Sequence, residues 1–257
     1  MLKKLQQLGS IILAMSIILS LFFTNTVQAA NKITNIQNES TNLRTNLTFL
    51  EGTPGDSYLI YTYIENGQKY KVIEYVDDEF MNVKSKVYCI DSNNNYIETK
   101  SQTLNNQTDN IWNLTNTDIN GNSEFIQIDT IKSISNSYTH NDNLTTLRDY
   151  TDPGTGEWRT HVWDGSSNIY NMTISAIMAV IGAAIGGKTG AALGAIASDY
   201  FKRGSDYAYY HVVDNIMMSK LYPMTVILRE ATDTTYYLDA GHNYPTGSDY
   251  YEYDGRW

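Results

Sequence analysis

Eight consecutive residues, Gly182-Ala183-Ala184-Ile185-Gly186-Gly187-Lys188-Thr189, match a phosphate-binding loop letter for letter. In such a loop successive backbone amides wrap the phosphates, the lysine meets the β and γ groups, and the hydroxyl reaches Mg²⁺. A β-like run, Ile177-Met178-Ala179-Val180-Ile181, stands before it and a helix-like run follows. The chemistry also needs a parallel sheet and an aspartate closing a second apolar strand. Met224-Thr225-Val226-Ile227-Leu228 is followed instead by Arg229 and Glu230. No nucleotide site is expected, and the match reads as a by-product of glycine spacing.

Other reactive residues are scattered. His140, His161, His211 and His242 lie far apart, and none begins a metalloprotease helix motif. Cys89 is the only cysteine, so neither a disulfide within the chain nor a cysteine metal cluster can form. It sits in a strand-like run, where an inert thiol is the expectation. Asp91-Ser92-Asn93-Asn94-Asn95 and Asp118-Ile119-Asn120-Gly121-Asn122 resemble the start of a calcium loop but lack glycine at the sixth position and glutamate at the twelfth, so both read as hairpin turns. The acid run Asp77-Asp78-Glu79 reads as solvated, and no Gly-x-Ser-x-Gly elbow occurs. No catalytic residue, metal or cofactor is expected.

The same glycines carry a packing argument. Gly182, Gly186, Gly190 and Gly194 recur every four residues, with Ala183, Gly187 and Ala191 on the adjoining stripe. On a helix this leaves one flank nearly bare, while Ile174, Ile177, Met178, Ile181, Ile185, Leu193 and Ile196 fill the other. Bare flanks allow two backbones to approach closely, as in small-xxx-small helices in membranes. Each interior glycine costs a helix roughly 1 kcal/mol against alanine, so packing or a bend must offset the loss. One reading makes Gly182, Ala183, Gly186, Gly187, Gly190, Ala191 and Gly194 a membrane-insertion and self-association face. The other makes the segment a buried helical hairpin that bends between Gly186 and Gly190.

The elements around this segment follow from composition. Lys3 and Lys4, the apolar run Ile11 to Phe23 and the exit Val27-Gln28-Ala29 have the layout of a secretory signal peptide cleaved after Ala29. From Asn31 to about Asn143 the chain is rich in Asn, Thr and Ser and alternates like β-structure. The clearest hairpin runs from Tyr58 to Ile64 and from Tyr70 to Val76 across Asn66-Gly67, a pair that tolerates a type I′ turn. Lys86 to Asp91 pairs with Tyr96 to Lys100, and Phe125 to Ile131 reads as a further strand. Asp199 to Tyr222 reads as an amphipathic helix ending at Pro223. Two strand-like runs follow, Met224 to Leu228 and Thr234 to Leu238, before a Tyr-rich tail. The expected fold is α+β. A signal peptide over 1–29 and an Asn-rich β domain over 30–165 precede a glycine-zipper helical segment with a Tyr-rich α/β part over 166–257.

With 18 basic and 28 acidic residues, the formal charge is −10. That excludes a basic nucleic-acid binder, and it removes electrostatics as a means of holding anionic lipid. The signal peptide, the segment Glu65-Asn66-Gly67-Gln68-Lys69-Tyr70-Lys71-Val72-Ile73-Glu74 and the glycine stretch before a Tyr-rich end together resemble the large, heat-labile bacteriocins of the geobacillin type. The resemblance implies a secreted protein that kills related bacteria at the cytoplasmic membrane without a cofactor. The Asn, Lys and Ile usage and the lack of disulfides point to a Gram-positive bacterium, and the expected partners are the target-cell membrane and an immunity protein. The expected mechanism is insertion and self-association of the glycine-zipper helix to form a pore. The rival expectation is a secreted non-enzymatic binding or structural module whose glycine-rich segment is a buried hairpin.

Overall fold

A computed structural model describes residues 43–108, 111–134, 156–187, 192–219 and 227–254. They belong to a unit spanning Leu43–Trp257, and the expected signal peptide lies outside the described residues. Eleven antiparallel strands form one sheet in chain order: β1 Thr45–Glu51, β2 Tyr58–Glu65, β3 Gln68–Val76, β4 Asn82–Ile90, β5 Tyr96–Thr108, β6 Ile111–Asp118, β7 Ser123–Ile134, β8 Gly156–Asn168, β9 Tyr207–Ser219, β10 Ile227–Tyr237 and β11 Pro245–Asp254. Two helices, α1 Ile174–Ala184 and α2 Leu193–Arg203, occupy the connection from β8 to β9.

This corrects the expected fold class. A helical unit does not follow a β domain; one meander carries a short helical hairpin as an insertion, and the boundary expected at 165/166 falls inside β8. The largest difference lies after Arg203, where a helix to Tyr222 was expected. Gly204 adopts φ +60° there, the Gly204 amide bonds Phe201 O, and the Ser205 amide bonds Tyr200 O, which is a Schellman stop. The run Tyr207 to Val213 then has the aromatic and β-branched content of a strand, and it forms β9.

Turn chemistry sets the meander. Asn66 and Gly67, at φ +52° and +76°, make the expected tight turn between β2 and β3. The loops at Asp91 and Asp118 share one design. Each aspartate Oδ1 accepts the amides two and four residues on, and Oδ2 accepts the side chain of Asn95 or Asn122. Asp239 repeats it with Asn243 between β10 and β11. These carboxylates are therefore spent on their own turns, as the hairpin reading required.

The sheet curls around the hairpin. β7 changes partner partway along, pairing with β6 over Ser123–Asp129 and with β8 over Thr130–Ile134. Both ends of the meander reach α2. Ahead of β1, the Arg44 amide bonds Lys202 O at 2.8 Å, and its guanidinium lies 4.3 Å from the Phe201 ring centroid. From β11, Thr246 bonds Asp199 and Gly247 packs on Ile196. Leu59, Leu104, Trp112, Leu114, Ile128 and Tyr210 from the strands join both helices in one buried cluster.

Candidate binding site beside the helical hairpin

α1 enters the sheet through its first turn. The free amides of a helix start need acceptors, and the Thr173 side chain gives none. Three strands supply them. Gln102 Oε1 accepts the Thr173 amide at 3.1 Å, the Tyr61 hydroxyl accepts Ile174 at 3.3 Å, and Glu74 Oε2 accepts Ser175 at 2.9 Å. Tyr61 donates to Glu74 Oε1 at 2.9 Å, and the Ser85 and Thr173 hydroxyls meet at 3.0 Å. Glu74 is fully buried. Burial pushes its carboxyl above the ordinary range, against the Ser175 and Tyr61 hydrogen bonds that hold it down. Burial also raises the Tyr61 hydroxyl well above its usual value, reinforced by the neighbouring Glu74.

The small residues divide among three tasks. Gly182 and Ala183 sit on the last turns of α1. Gly186 and Gly187, at φ +87° and +73°, end that helix: the Gly187 amide bonds Gly182 O at 2.8 Å and the Gly186 amide bonds Ala183 O at 3.0 Å. Gly194, on α2, faces the β1–β2 loop, where an added Cβ would lie 2.8 Å from Pro54 Cβ. Gly190 and Ala191 lie outside the described residues, as do Lys188 and Thr189. Ile177 to Ile181, the strand a phosphate loop would need, is helix instead.

Beside the last turns of α1 lies a cavity of about 280 Å³. Gly182, Ala183 and Met178 form the helical wall, with Trp112 of β6 and the residues Asp78, Glu79, Phe80 and Met81 also lining it. Trp112 is 1% exposed, and its indole N–H has no hydrogen-bond partner among the described residues. A buried donor left unmet costs about 1–3 kcal/mol. Sequence reasoning missed Trp112. The alternation Trp112, Leu114 on the inward face of β6 was readable, but its sharing a cavity with Ala183 depends on how the sheet folds around the hairpin.

The fold also gathers two of the four scattered histidines. Asp164 Oδ1 lies 2.7 Å from His211 Nδ1 and 3.6 Å from His242 Nδ1, and the His242 ring stacks on Tyr237 at 4.4 Å. Direct cross-strand pairing of Asp164 with His211 produces the first contact, which needed the β8–β9 register to foresee. Among the described residues no group of three or more His, Cys, Asp and Glu side chains is placed to hold a metal ion. Cys89 is a free, half-buried thiol in β4.

Compared with protein-family models, curated proteins and solved structures, the chain finds no match in any of the three.

Proposed function

We propose that the protein is a secreted, non-enzymatic binding module in which the glycine-rich segment is the permanent centre of the fold. The observation that carries this reading is the clamp on α1: Glu74, Tyr61 and Gln102 take its first amides, and ten of its eleven residues are buried. Each helix has 11 residues, about 16 Å, against a hydrocarbon core of ~30 Å. No described helix is long and apolar enough to cross a membrane, which leaves strands aside. Secretion rests on the N-terminal sequence pattern.

One observation favours the antibacterial reading as a second proposal. α1 carries no charged residue, whereas α2 holds Asp199, Lys202 and Arg203. A protein that releases an apolar segment into a target-cell membrane, self-associates there and is countered by an immunity protein would store that segment under cover in this way. A double variant, Ser85→Cys with Thr173→Cys, separates the two. The hydroxyls it replaces are 3.0 Å apart, so a disulfide there would tie the start of α1 to β4. The module reading predicts no dye release from lipid vesicles and no killing of sensitive cells by wild type or by the oxidised variant. Release by wild type that vanishes on oxidation and returns on reduction would replace it with the insertion reading.

A further inference from the structure

We propose that the outward face of β3 and β4 binds a linear acidic polysaccharide, with lysines meeting its carboxylates and tyrosines its sugar rings. The proposal rests on the reading of a secreted binding module and names its partner. The net charge of −10 is unevenly spread. Along the β3–β4 ladder the inward positions, Val72, Glu74, Ser85 and Val87 among them, are buried, which turns the lysines of both strands to the other side. Lys69 and Lys71 come from β3 and Lys86 and Lys84 from β4, so each of four successive rows holds one lysine across from an uncharged partner. Rows on one face are two residues apart, and the four span about 20 Å. β3 and β4 are interior strands, flanked by β2 and β5, so these lysines do not guard a sheet edge.

Few acids oppose them. Glu98 of β5 is the one acidic residue at an outward position of β2 to β5, and it accepts a hydrogen bond from Lys86 at 3.1 Å. The turns at the two ends of the ladder carry more acid. Asp77 and Asp91, however, accept hydrogen bonds inside their own turns, and Asp78 and Glu79 line the cavity beside α1. Aromatic surface lies among the lysines. Tyr75 and Tyr96 are 54% and 56% exposed; the Tyr75 ring lies 4.9 Å from that of Tyr58, and the Lys71 ammonium lies 4.7 Å from the centre of the Tyr96 ring. An aromatic face is electron-rich and attracts the C–H-lined face of a sugar, while an ammonium holds a carboxylate as a point charge. Charge spacing selects the polymer. Duplex DNA carries one charge per ~1.7 Å and would have few of them met here, on a chain that repels it elsewhere. A polysaccharide with widely spaced carboxylates and flat rings between them suits single lysines set beside tyrosines.

Calorimetric titration of the purified full chain with three probes of similar length tests this: an oligogalacturonate, the same oligomer with its carboxylates methyl-esterified, and poly-L-glutamate. The oligogalacturonate is expected to bind saturably and to weaken about tenfold between ~50 and ~200 mM salt. The ester should bind about tenfold more weakly or not at all. Poly-L-glutamate, which has the charge without the sugar faces, should bind about three- to tenfold more weakly. Lys69→Gln with Lys84→Gln removes two charges at exposed positions and should weaken the oligogalacturonate about tenfold at an unchanged melting temperature. Tyr75→Ala should weaken the oligogalacturonate and leave poly-L-glutamate as it was. No saturable binding to wild type would overturn the proposal. So would an ester or poly-L-glutamate that binds as tightly as the oligogalacturonate, unchanged affinity in the folded lysine variant, or a Tyr75→Ala loss shared equally by poly-L-glutamate. A failed polysaccharide site appears as no binding by a protein that leaves vesicles intact, whereas failure of the module reading appears as dye release.

Discussion

Glu74 shows how one residue ties strand to helix. It stands opposite Leu59 in the β2–β3 register, an inward position where a carboxylate is costly unless hydrogen-bonded. The Tyr61 hydroxyl and the Ser175 amide supply those bonds, and the positive end of α1 favours the charge. Glu74→Ala should therefore lower stability by about 2–5 kcal/mol, since it orphans both donors and opens a void. Glu74→Gln keeps the shape and removes the charge. Because burial raises the folded-state carboxyl above its unfolded value, its stabilising contribution is full below the unfolded value and is lost as pH rises through the folded one. Urea midpoints of wild type minus Glu74→Gln should accordingly grow as pH is lowered from 8 toward 5. A difference that shrinks over that range would remove Glu74 from the clamp. Asp91 and Asp118 work in the opposite sense. Hydrogen bonds from the Asn95 amide and the Asn122 side chain, respectively, lead in holding them low, so their contribution is present above the ordinary carboxylate value and lost in acid.

Among elements, the helical hairpin is defined by its stops and its contacts. Gly186 and Gly204 each end a helix in the left-handed region, and Gly194 lets α2 approach Pro54. Gly194→Ala should cost about 1–3 kcal/mol by overpacking, although alanine is the better helix former. Gly187→Ala meets open space and should cost about 1–2 kcal/mol through its positive φ alone. Thermal or urea melts of the two variants check both, and a stabilised Gly194→Ala would mean that α2 does not pack on the loop.

The hairpins at Asn66-Gly67, Asp91 and Asp118 were legible in the sequence because their turn residues act locally. The bend near Gly186 was legible as one of two choices. Beyond Arg203 the amphipathic pattern misled: Asp199 to Tyr222 holds helix, Schellman stop and strand in succession, and Gly204 was the sign that separates them. Trp112 and Ala183 lining one cavity, and Asp164 beside two histidines, depend on strand register and sheet curvature. No local pattern carries that information.

At the scale of the whole molecule, eleven strands in chain order wrap one hairpin, and the residues just before β1 and those of β11 both fasten α2. A core shared by nearly every strand makes the hairpin inseparable from the sheet, so the two should unfold together. The account therefore turns on whether α1 ever leaves the sheet without global unfolding. Amide hydrogen exchange measured with and without lipid vesicles answers that most directly. The α1 amides from Ile177 to Ile185 are predicted to exchange only through global unfolding, with the same protection as the amides of β2 to β5 and no change when vesicles are added. Exchange of α1 through a cheaper opening that leaves β2 to β5 protected, with new protection on vesicles, would contradict the account.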